Sequence, residues 1–375
     1  MIERLFAEFR PRRIEAALGD FSGLRSGEPR YWEVAPRNAG TAQRIVQTAF
    51  EHGVALRVRA QGHSLNGASL PRGGELLLST RNLRHVRFEQ RGTVTAGGGI
   101  VLWILQYLLR RHGFDLPVLN DGYPGPTVGG YLAAGGFGPR SAAHGGFWDN
   151  VLEVTLLDGR GELQRVAADD PRFPWLFGAM GQLGIVLEAK LGIVPLQADA
   201  PPPYPEGRAL VAPQLAPPRI PPEYATQADE SLFWFTLFVP DERLEKAHRE
   251  LAALERRHTQ ALRFQERYRY PIRLRRWLPP LLYPEARPIT ATGAWGWLTD
   301  GSAAGRERLS AFDRDFMALA LAEPAYRRYL QSELPGGPEV YEPCFGAQTY
   351  ATLRRLKGEL DPRGLLNRGS VFPAP

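Results

Sequence analysis

Residues 57–69, RVRAQGHSLNGAS, place a histidine between a glycine and a serine at the end of an alternating segment. The alternation of apolar and polar side chains in residues 55–61, ALRVRAQ, predicts a half-buried strand. The small residues around His63 allow the backbone that follows this strand to bend close to another molecule. His63 is therefore a candidate ligand, catalytic base or covalent attachment point.

Two further glycine-rich segments follow, residues 126–138, PTVGGYLAAGGFG, and residues 181–186, GQLGIV. Glycines let backbone N–H groups approach a phosphate, and successive amides can form an anion-binding nest. The first two glycine-rich segments could therefore hold a pyrophosphate together. A metalloenzyme or a P-loop enzyme is not expected, because the sequence lacks the P-loop, HExxH, CxxC and Rossmann patterns and has no pair of histidines spaced as ligands on a helix.

The length of 375 residues fits about two domains, or one large domain with an insertion. The N-terminal segment carries a charge every few residues, which argues against a signal peptide. No run of about twenty apolar residues predicts a membrane span. The single cysteine, Cys344, excludes an internal disulfide and a cysteine-based metal site. We therefore expect a soluble, cytoplasmic enzyme.

The formal net charge is +6 and comes almost entirely from arginine, since lysine occurs only at positions 190, 246 and 357. Such a surplus is typical of proteins that contact nucleic-acid phosphates. It is also typical of G+C-rich coding sequences, in which Arg, Ala, Gly and Pro are abundant together. Because the surplus is spread along the chain and is not a patch, we expect no nucleic-acid partner.

Residues 30–196 show an α+β pattern, with many short strands and no regular alternation of strand and helix. Thr41 is predicted to cap a helix that ends before Gly53. Residues 150–167 predict a hairpin that turns at DGRG. Residues 173–184, FPWLFGAMGQLG, predict a short helix.

The composition changes after residue 198. Residues 199–224 are rich in proline and predict a stiff, extended crossing. Two strand patterns and two helix patterns then form a second, smaller α+β unit, over residues 232–239, 241–258, 292–300 and 303–323. A helix and a glycine-bounded tail end the chain. The sequence thus predicts a first domain over residues 1–198, an inserted domain over 199–340 and a return to the first domain over 341–375.

Five segments, in their order and spacing, resemble the motifs of the vanillyl-alcohol oxidase/PCMH family of FAD-linked oxidoreductases. The cytokinin dehydrogenase and sugar oxidase branches are closest in motif. RAQGHSLNGAS is similar to the first flavin loop of the family, R-G-x-G-H-S. The other four segments are PTVGGYLAAGGFG, HGGFWDNVLEVTLLDGRGEL, FGAMGQLGIV and LKGELDPRGLLNRG. They resemble T-V-G-G-x-L-x-x-G-G, H-G-x-x-x-D-x-V, G-x-x-G-x-x-G-I-[IV] and D-P-x-x-x-x-N.

The resemblance implies a PCMH-type FAD-binding domain of two α+β subdomains with an inserted α+β substrate domain. It implies FAD as the cofactor and His63 as the residue bonded to the 8α carbon of the flavin. The alternative is that His63 only hydrogen-bonds near the flavin. A second, cysteinyl bond is not expected, because no cysteine precedes Thr127. The residues implied to contact FAD are Ala60, Gln61, Gly62, His63, Ser64, Asn66, Ala68, Thr127, Gly130, Ala133, Phe137, Ile185 and Asn367.

The resemblance also implies a catalytic base before the TVGG segment. In the cytokinin dehydrogenase branch an aspartate there takes a proton from the substrate amine. Asp121 occupies a similar position, although it lies one residue further from Thr127 than the aspartate of that branch lies from its threonine. An ordinary Asx-type turn is the alternative for this aspartate. Tyr123 and Tyr341 are further candidates to reach a substrate.

The implied reaction is that of an FAD-dependent oxidase. A hydride passes from a C–H next to an alcohol or amine of a small organic substrate to the flavin, which O2 or another acceptor then reoxidises. The aromatic runs LFWFTLF, RYRYP and AWGWL indicate either a partly apolar substrate or ordinary core. The first alternative is a dehydrogenase that passes electrons to a quinone or a protein. The second alternative is a basic nucleic-acid-binding protein without flavin.

Overall fold

The computed structural model describes residues 1–90, 92–122, 125–199, 202–215, 226–227, 229–273, 275–283, 285, 287–330 and 338–373. Within these ranges the helices are α1 (Ile2–Leu5), α2 (Ala39–His52), α3 (Leu102–Arg110), α4 (Val128–Ala134), α5 (Ser141–His144), α6 (Leu244–Arg257), α7 (Ala303–Ala322), α8 (Tyr341–Phe345) and α9 (Ala347–Leu360). The predicted proline-rich crossing lies partly outside the described residues.

In the part of the chain that the structure describes, the strands form three larger sheets and one two-stranded ladder. Their bounds are β1 (Arg12–Ile14), β2 (Tyr31–Val34), β3 (Leu56–Arg59), β4 (Leu76–Ser79), β5 (Val86–Phe88), β6 (Thr93–Gly97), β7 (Phe114–Asp115), β8 (Val151–Leu157), β9 (Leu163–Ala167), β10 (Ile185–Gly192), β11 (Val194–Pro195), β12 (Ala209–Leu210), β13 (Ser231–Pro240), β14 (Leu262–Phe264), β15 (Arg269–Ile272), β16 (Ile289–Leu298) and β17 (Arg327–Tyr329). This mixture of helices and largely antiparallel sheets confirms the predicted α+β class.

The first sheet has the order β1-β2-β4-β3, with β2, β4 and β3 parallel and β1 antiparallel to β2. The apolar face of α2 packs on it, because Ile45 and Val46 share one buried cluster with Leu56 of β3. The predicted cap of α2 is wrong. Asn38 caps the helix, since its Oδ1 accepts the N–H of Thr41 at 2.8 Å. The predicted end is confirmed: α2 stops before a glycine in the left-handed conformation.

The second sheet is antiparallel, with the order β12-β5-β6-β10-β8-β9. Strands β8 and β9 form the hairpin that residues 150–167 predicted. The helix predicted over residues 173–184 is wrong, because only a single 3-10 turn occurs, at Phe173–Leu176. Gly178, Met180 and Gly181 all have positive φ angles, and such left-handed residues cannot continue a right-handed helix.

The third sheet lies in the segment that the sequence predicts to be inserted, residues 199–340, which we call the inserted unit. It has the order β14-β16-β13-β17, with β15 also paired to β16. Helices α6 and α7 cover one face of this sheet. Phe233 and Phe235 of β13 share a buried cluster there with Phe312 of α7. Because side chains alternate along a strand, Trp234 and Thr236 face the other way. That second face lines the cavity described below.

The last helix, α9, returns the chain to the first part of the molecule. Leu353 and Leu356 lie in the cluster that contains the second sheet, and Leu366 pairs with Leu56 in an isolated parallel bridge. The same cluster also includes Phe238 and Leu282 of the inserted unit, so the core is continuous across the predicted boundaries. The boundaries at 198/199 and 340/341 stay predictions.

Candidate functional site

A cavity of about 870 Å³ lies between the loops of the first part of the chain and the free face of the third sheet. Asp121 lines it, and so does every residue that the sequence predicted to contact the cofactor: Ala60, Gln61, Gly62, His63, Ser64, Asn66, Ala68, Thr127, Gly130, Ala133, Phe137, Ile185 and Asn367. Tyr123 lies outside the described residues. Tyr341 does not line the cavity, because it is buried behind Met180, whose Sδ lies 3.6 Å from the tyrosine hydroxyl.

The His63 loop, residues 60–69, follows β3 and forms one side of the cavity. Gly62 has a φ of 72°, and a Cβ at this position would also lie 2.1 Å from the guanidinium of Arg59. Arg59 donates hydrogen bonds from Nη2 to the carbonyl of Gly19 at 2.9 Å and from Nη1 to Ser69 Oγ at 3.1 Å. Glycine at position 62 therefore serves both the turn and the close approach of Arg59.

The side chain of Arg57 anchors the His63 loop through hydrogen bonds. Its side chain is fully buried, and its Nε and Nη2 donate to both carboxylate oxygens of Glu75 at 2.9 and 2.7 Å. The remaining N–H groups donate to the carbonyl of Ala68 at 2.9 Å, to Ser370 Oγ at 2.5 Å and to the carbonyl of Arg368 at 2.6 Å. This one side chain thus joins β3, the loop and the C-terminal tail. No motif in the sequence predicted this role for Arg57.

Asn367 is a second junction between the tail and the cavity. Its backbone is left-handed, with a φ of 50°. Its Oδ1 accepts the N–H of Val58 at 2.9 Å, and its Nδ2 donates to the carbonyl of Gly181 at 2.9 Å. The side-chain amide is therefore already hydrogen-bonded to two segments of the cavity wall.

The motif that precedes Asn367 shapes this tail. Asp361 accepts the N–H groups of Leu365 at 3.0 Å and Leu366 at 2.8 Å, and its carboxylate pairs with Lys357 at 2.7 Å. Lys357 also donates to the carbonyl of Leu366 at 2.8 Å. Because both charges are buried, each needs the other and these backbone groups as partners. The D-P-x-x-x-x-N pattern thus fixes the turn that presents Asn367.

Helix α4 supplies the next part of the cavity. Thr127 caps it, since Thr127 Oγ1 accepts the N–H of Gly130 at 3.2 Å. Gly129 packs against the residue after β6 and against β10: a Cβ there would lie 3.0 Å from the carbonyl oxygen of Gly98 and 3.3 Å from the Cβ of Val186. Gly135 ends the helix with a φ of 71° and does not line the cavity. The glycines of this segment therefore bring the helix close to the sheet as well as to the cavity.

Phe21 stacks on His63, with ring centroids 4.0 Å apart and planes inclined by 20°. The N–H of Phe21 also donates to the carbonyl of Ser64 at 3.0 Å. Phe21 precedes the predicted elements and lines the cavity. No sequence pattern predicts a role for Phe21, because a lone phenylalanine in an irregular segment carries no periodic signal.

Four aromatic side chains of the inserted unit form the opposite side of the cavity, and we call them the aromatic wall. Trp295 stacks on Trp234 at 5.2 Å, Trp234 contacts Tyr268 at 4.9 Å, and Tyr268 stacks on Tyr270 at 5.2 Å. Burial raises the pKa of Tyr268, so its hydroxyl stays protonated and donates to the carbonyl of Phe235 at 3.0 Å. Alternate residues of the aromatic runs thus face the core and the cavity, and the partly apolar substrate stays a prediction.

Asp121 lies where the two sides of the cavity meet. The Tyr270 hydroxyl donates a hydrogen bond to Asp121 Oδ2. Asn120 makes a local turn contact, because its Nδ2 donates to the carbonyl of Gly122 at 2.6 Å. An Asx-type turn at Asp121 would involve Tyr123, which lies outside the described residues. The Asp121 carboxylate therefore faces the aromatic wall.

Residues 33–167 match the family model described as an FAD binding domain. The chain therefore contains an FAD-binding domain of the kind found in PCMH-type FAD-linked oxidoreductases. The match confirms the predicted resemblance to this family and the predicted cofactor, FAD. The alternative of a nucleic-acid-binding protein without flavin is contradicted by this match.

Several curated proteins are similar to about half of this chain. Cytokinin dehydrogenase 5 of Arabidopsis thaliana is 29% identical over 195 residues, which cover 49% of this chain and 36% of that protein. An uncharacterized oxidoreductase of the fasciation locus of Rhodococcoides fascians is 32% identical over 182 residues, covering 48% and 40%. Cytokinin dehydrogenase 5 of Oryza sativa subsp. japonica is 30% identical over 199 residues, covering 48% and 36%. The matched region thus spans less than half the length of these relatives.

The cavity of the FAD-binding domain fits a large cofactor with a phosphate group. One side of it consists mainly of backbone and small side chains, which leave room for a ligand and present amides to it. Ser64 Oγ is buried and has no hydrogen-bond partner among the described residues. A buried hydroxyl requires a partner, and a phosphate oxygen or a flavin heteroatom would supply one.

Among the described residues, no three His, Cys, Asp or Glu side chains lie together as a metal site. Within the same ranges, no helix has the length and apolar character to span a membrane. Cys344 is buried beside Met317 Sδ at 3.3 Å, and burial raises the pKa of its thiol to about 11.

Proposed function

We propose that this chain is an FAD-dependent oxidase. It transfers a hydride from a C–H next to an alcohol or amine of a small organic substrate to a flavin bound covalently at His63. The observation that carries the proposal is a single cavity in which the flavin-type loops face a carboxylate, Asp121, and an aromatic wall. Bound FAD supplies the two-electron acceptor.

Asp121 is the proposed base. As the hydride leaves the substrate carbon, the neighbouring N–H or O–H loses its proton to the Asp121 carboxylate, and a C=N or C=O double bond forms. A base must be held within hydrogen-bond reach of the proton that it takes. The hydrogen bond from Tyr270 holds this carboxylate at the edge of the cavity.

The aromatic wall binds the part of the substrate that does not react. Trp234, Tyr268, Tyr270 and Trp295 offer ring faces and edges, which favour a planar or apolar group over a sugar-like one. Several relatives are named cytokinin dehydrogenases, so cytokinins are the first substrates to test. Alkylated aromatic amines and aromatic alcohols complete a suitable panel.

The cofactor is tested first, by acid precipitation of the purified yellow protein. We expect the yellow colour in the pellet, and we expect His63→Ala to move it to the supernatant. Colour in the supernatant of the unaltered protein would contradict the covalent bond and leave the FAD-dependent reaction standing. A folded protein that binds no flavin would overturn the proposal.

The base is tested by anaerobic reduction of the flavin with the substrate panel in a stopped-flow instrument. We expect Asp121→Asn to lower the rate of reduction by about 10²–10⁴, the usual contribution of a general base, with the flavin content unchanged. The matched control is Asp315→Asn, an exposed aspartate on α7 that pairs with His258. Equal rates for Asp121→Asn and the control would exclude Asp121 as the base.

The electron acceptor is tested by mixing the reduced enzyme with air-saturated buffer or with a soluble quinone. Rapid reoxidation by O2 with release of hydrogen peroxide is expected for the oxidase. Slow reoxidation in air and rapid reoxidation by the quinone would replace the oxidase by the dehydrogenase.

A further inference from the structure

The N-terminal loop, residues 19–26, precedes the matched FAD-binding domain and still forms part of the cavity wall. An antiparallel bridge between Gly19 and Ser26 closes the loop. Inside it, Ser22 Oγ donates to Asp20 Oδ1 at 2.6 Å and accepts the N–H of Leu24 at 3.0 Å. The loop therefore has a defined shape of its own.

The N-terminal loop connects the two sides of the cavity. On one side, the N–H of Phe21 donates to the carbonyl of Ser64 at 3.0 Å. On the other side, the N–H of Leu232 in β13 donates to the carbonyl of Ser22 at 3.2 Å, and Arg306 Nη1 donates to the carbonyl of Leu24 at 3.1 Å. Backbone contacts thus anchor the loop to the His63 loop and to the inserted unit.

This anchoring places the Phe21 ring flat against the imidazole of His63, at 4.0 Å between centroids. Gly122 bounds the imidazole at an edge, because a Cβ on that glycine would lie 3.4 Å from His63 Cε1. The imidazole therefore has an aromatic ring over one face and backbone beside its Cε1 edge. This arrangement restricts rotation of the ring about its bond to Cβ.

We propose that Phe21 is a positioning residue for the covalent attachment of the flavin to His63. The proposal rests on the covalent bond proposed above. In the overall reaction, the N–C8α bond replaces one C8α–H bond of the flavin methyl group and one N–H bond of the imidazole. The two electrons and two protons released pass to dioxygen, which becomes hydrogen peroxide. Phe21 takes no part in these bonds and holds the plane of the imidazole toward the cofactor.

The test uses full-length apoprotein purified from riboflavin-starved cells and mixed with FAD in air. Samples are precipitated with acid over time, and the flavin in the pellet is compared with the total flavin bound before precipitation. The variants are Phe21→Ala, Phe21→Leu and Phe21→Tyr. Leu24→Ala is the matched control, because Leu24 lies in the same loop and packs on the inserted unit away from His63.

We expect Phe21→Ala and Phe21→Leu to bind FAD but to attach it about tenfold more slowly, since misplacement of a reacting group costs rate. Phe21→Tyr and Leu24→Ala should attach it at the rate of the unaltered chain. A normal attachment rate in both Phe21→Ala and Phe21→Leu would overturn the proposal, and so would an equal loss in Leu24→Ala. If the unaltered chain binds FAD without attaching it, this proposal falls while the FAD-dependent reaction stands.

Discussion

The two sides of the cavity are built in different ways. The first side, the loop wall, consists of residues 58–69, 126–137 and 180–186 and presents mainly backbone and small side chains. The second side is the aromatic wall, where large rings project from β13, β15 and β16. A backbone surface suits a cofactor that has the same shape in every relative, whereas a side-chain surface can change with the substrate.

The difference also explains which wall was visible in the sequence. A loop that brings amides to a ligand needs glycine at fixed positions, such as Gly62 with its positive φ, and this requirement leaves a motif. An aromatic ring that faces a cavity from a strand cannot be told from a core ring by residue type. The two differ only in whether they stand at odd or even positions along the strand. Trp234 and Phe233 are neighbours in one apolar run, and only the fold shows which of them faces the cavity.

The largest expected effect concerns Arg57, the buried residue that supports the loop wall. Arg57→Met leaves the buried Glu75 carboxylate without its partner and removes the link to the C-terminal tail. We expect a loss of about 3–5 kcal/mol in the free energy of unfolding, together with weaker retention of FAD. Urea unfolding and the flavin content after gel filtration measure the two effects.

The matched control for Arg57 is Arg165→Gln, which removes an ion pair to Glu153 on the surface of the β8–β9 hairpin. Exposed pairs contribute about 0–1 kcal/mol because water and salt screen them. If the Arg57 variant lost no more stability than this control, Arg57 would not be the support of the loop wall.

A pH-dependent effect is expected where the FAD-binding domain joins the inserted unit. Asp149 is 1% exposed and accepts the N–H groups of Gly146, at 2.9 Å, and of Arg276 from the inserted unit. Burial raises its pKa from 3.8 to about 7. Between these two values the folded chain holds a proton that the unfolded chain has lost. The resulting stability is complete below pH 3.8 and is lost as the pH rises through 7.

Over this pH range, deprotonation of Asp149 lowers the free energy of unfolding by up to about 4 kcal/mol. The difference in unfolding free energy between the unaltered chain and Asp149→Asn, measured from pH 4 to pH 8, isolates this group. At low pH the asparagine variant is expected to be less stable than the unaltered chain, since its side chain keeps one acceptor oxygen and gains an N–H donor. Its unfolding free energy should not change with pH through this position, because asparagine does not titrate. A difference that does not vary with pH would rule out the raised pKa.

The smallest expected effect concerns the aromatic wall. Trp234→Ala removes the central ring that contacts both Trp295 and Tyr268. We expect KM for an aromatic substrate to rise about fivefold to tenfold, the worth of one aromatic contact, with the flavin content unchanged. Steady-state kinetics with the best substrate of the panel measures it.

Phe233→Ala is the control for Trp234, because the two residues are adjacent on β13 and face opposite sides. Phe233 is 1% exposed in the core under α7, so its removal is expected to cost about 3–5 kcal/mol of stability. A large stability loss in Trp234→Ala with an unchanged KM would mean that its ring belongs to the core.

Local signals predicted several of the longer elements of the fold. The left-handed glycine after α2 and the β8–β9 hairpin follow from chain geometry that a few neighbouring residues fix. The helix predicted over residues 173–184 is wrong, because Gly178, Met180 and Gly181 adopt positive φ in the structure. Thr41 is a suitable cap by residue type, but it is the third residue of the helix, and its own N–H is the group that Asn38 Oδ1 accepts.

The sequence by itself determined the α+β class, the FAD-binding domain and the residues of the loop wall. It could do so because phosphate-binding backbone constrains residue type at each position. Only the tertiary structure decided that Phe21 stacks on His63, that Arg57 joins β3 to residues 368–370 and that Tyr270 meets Asp121. Those contacts link residues far apart in the chain. They depend on how separate elements pack, and no spacing within one element records that packing.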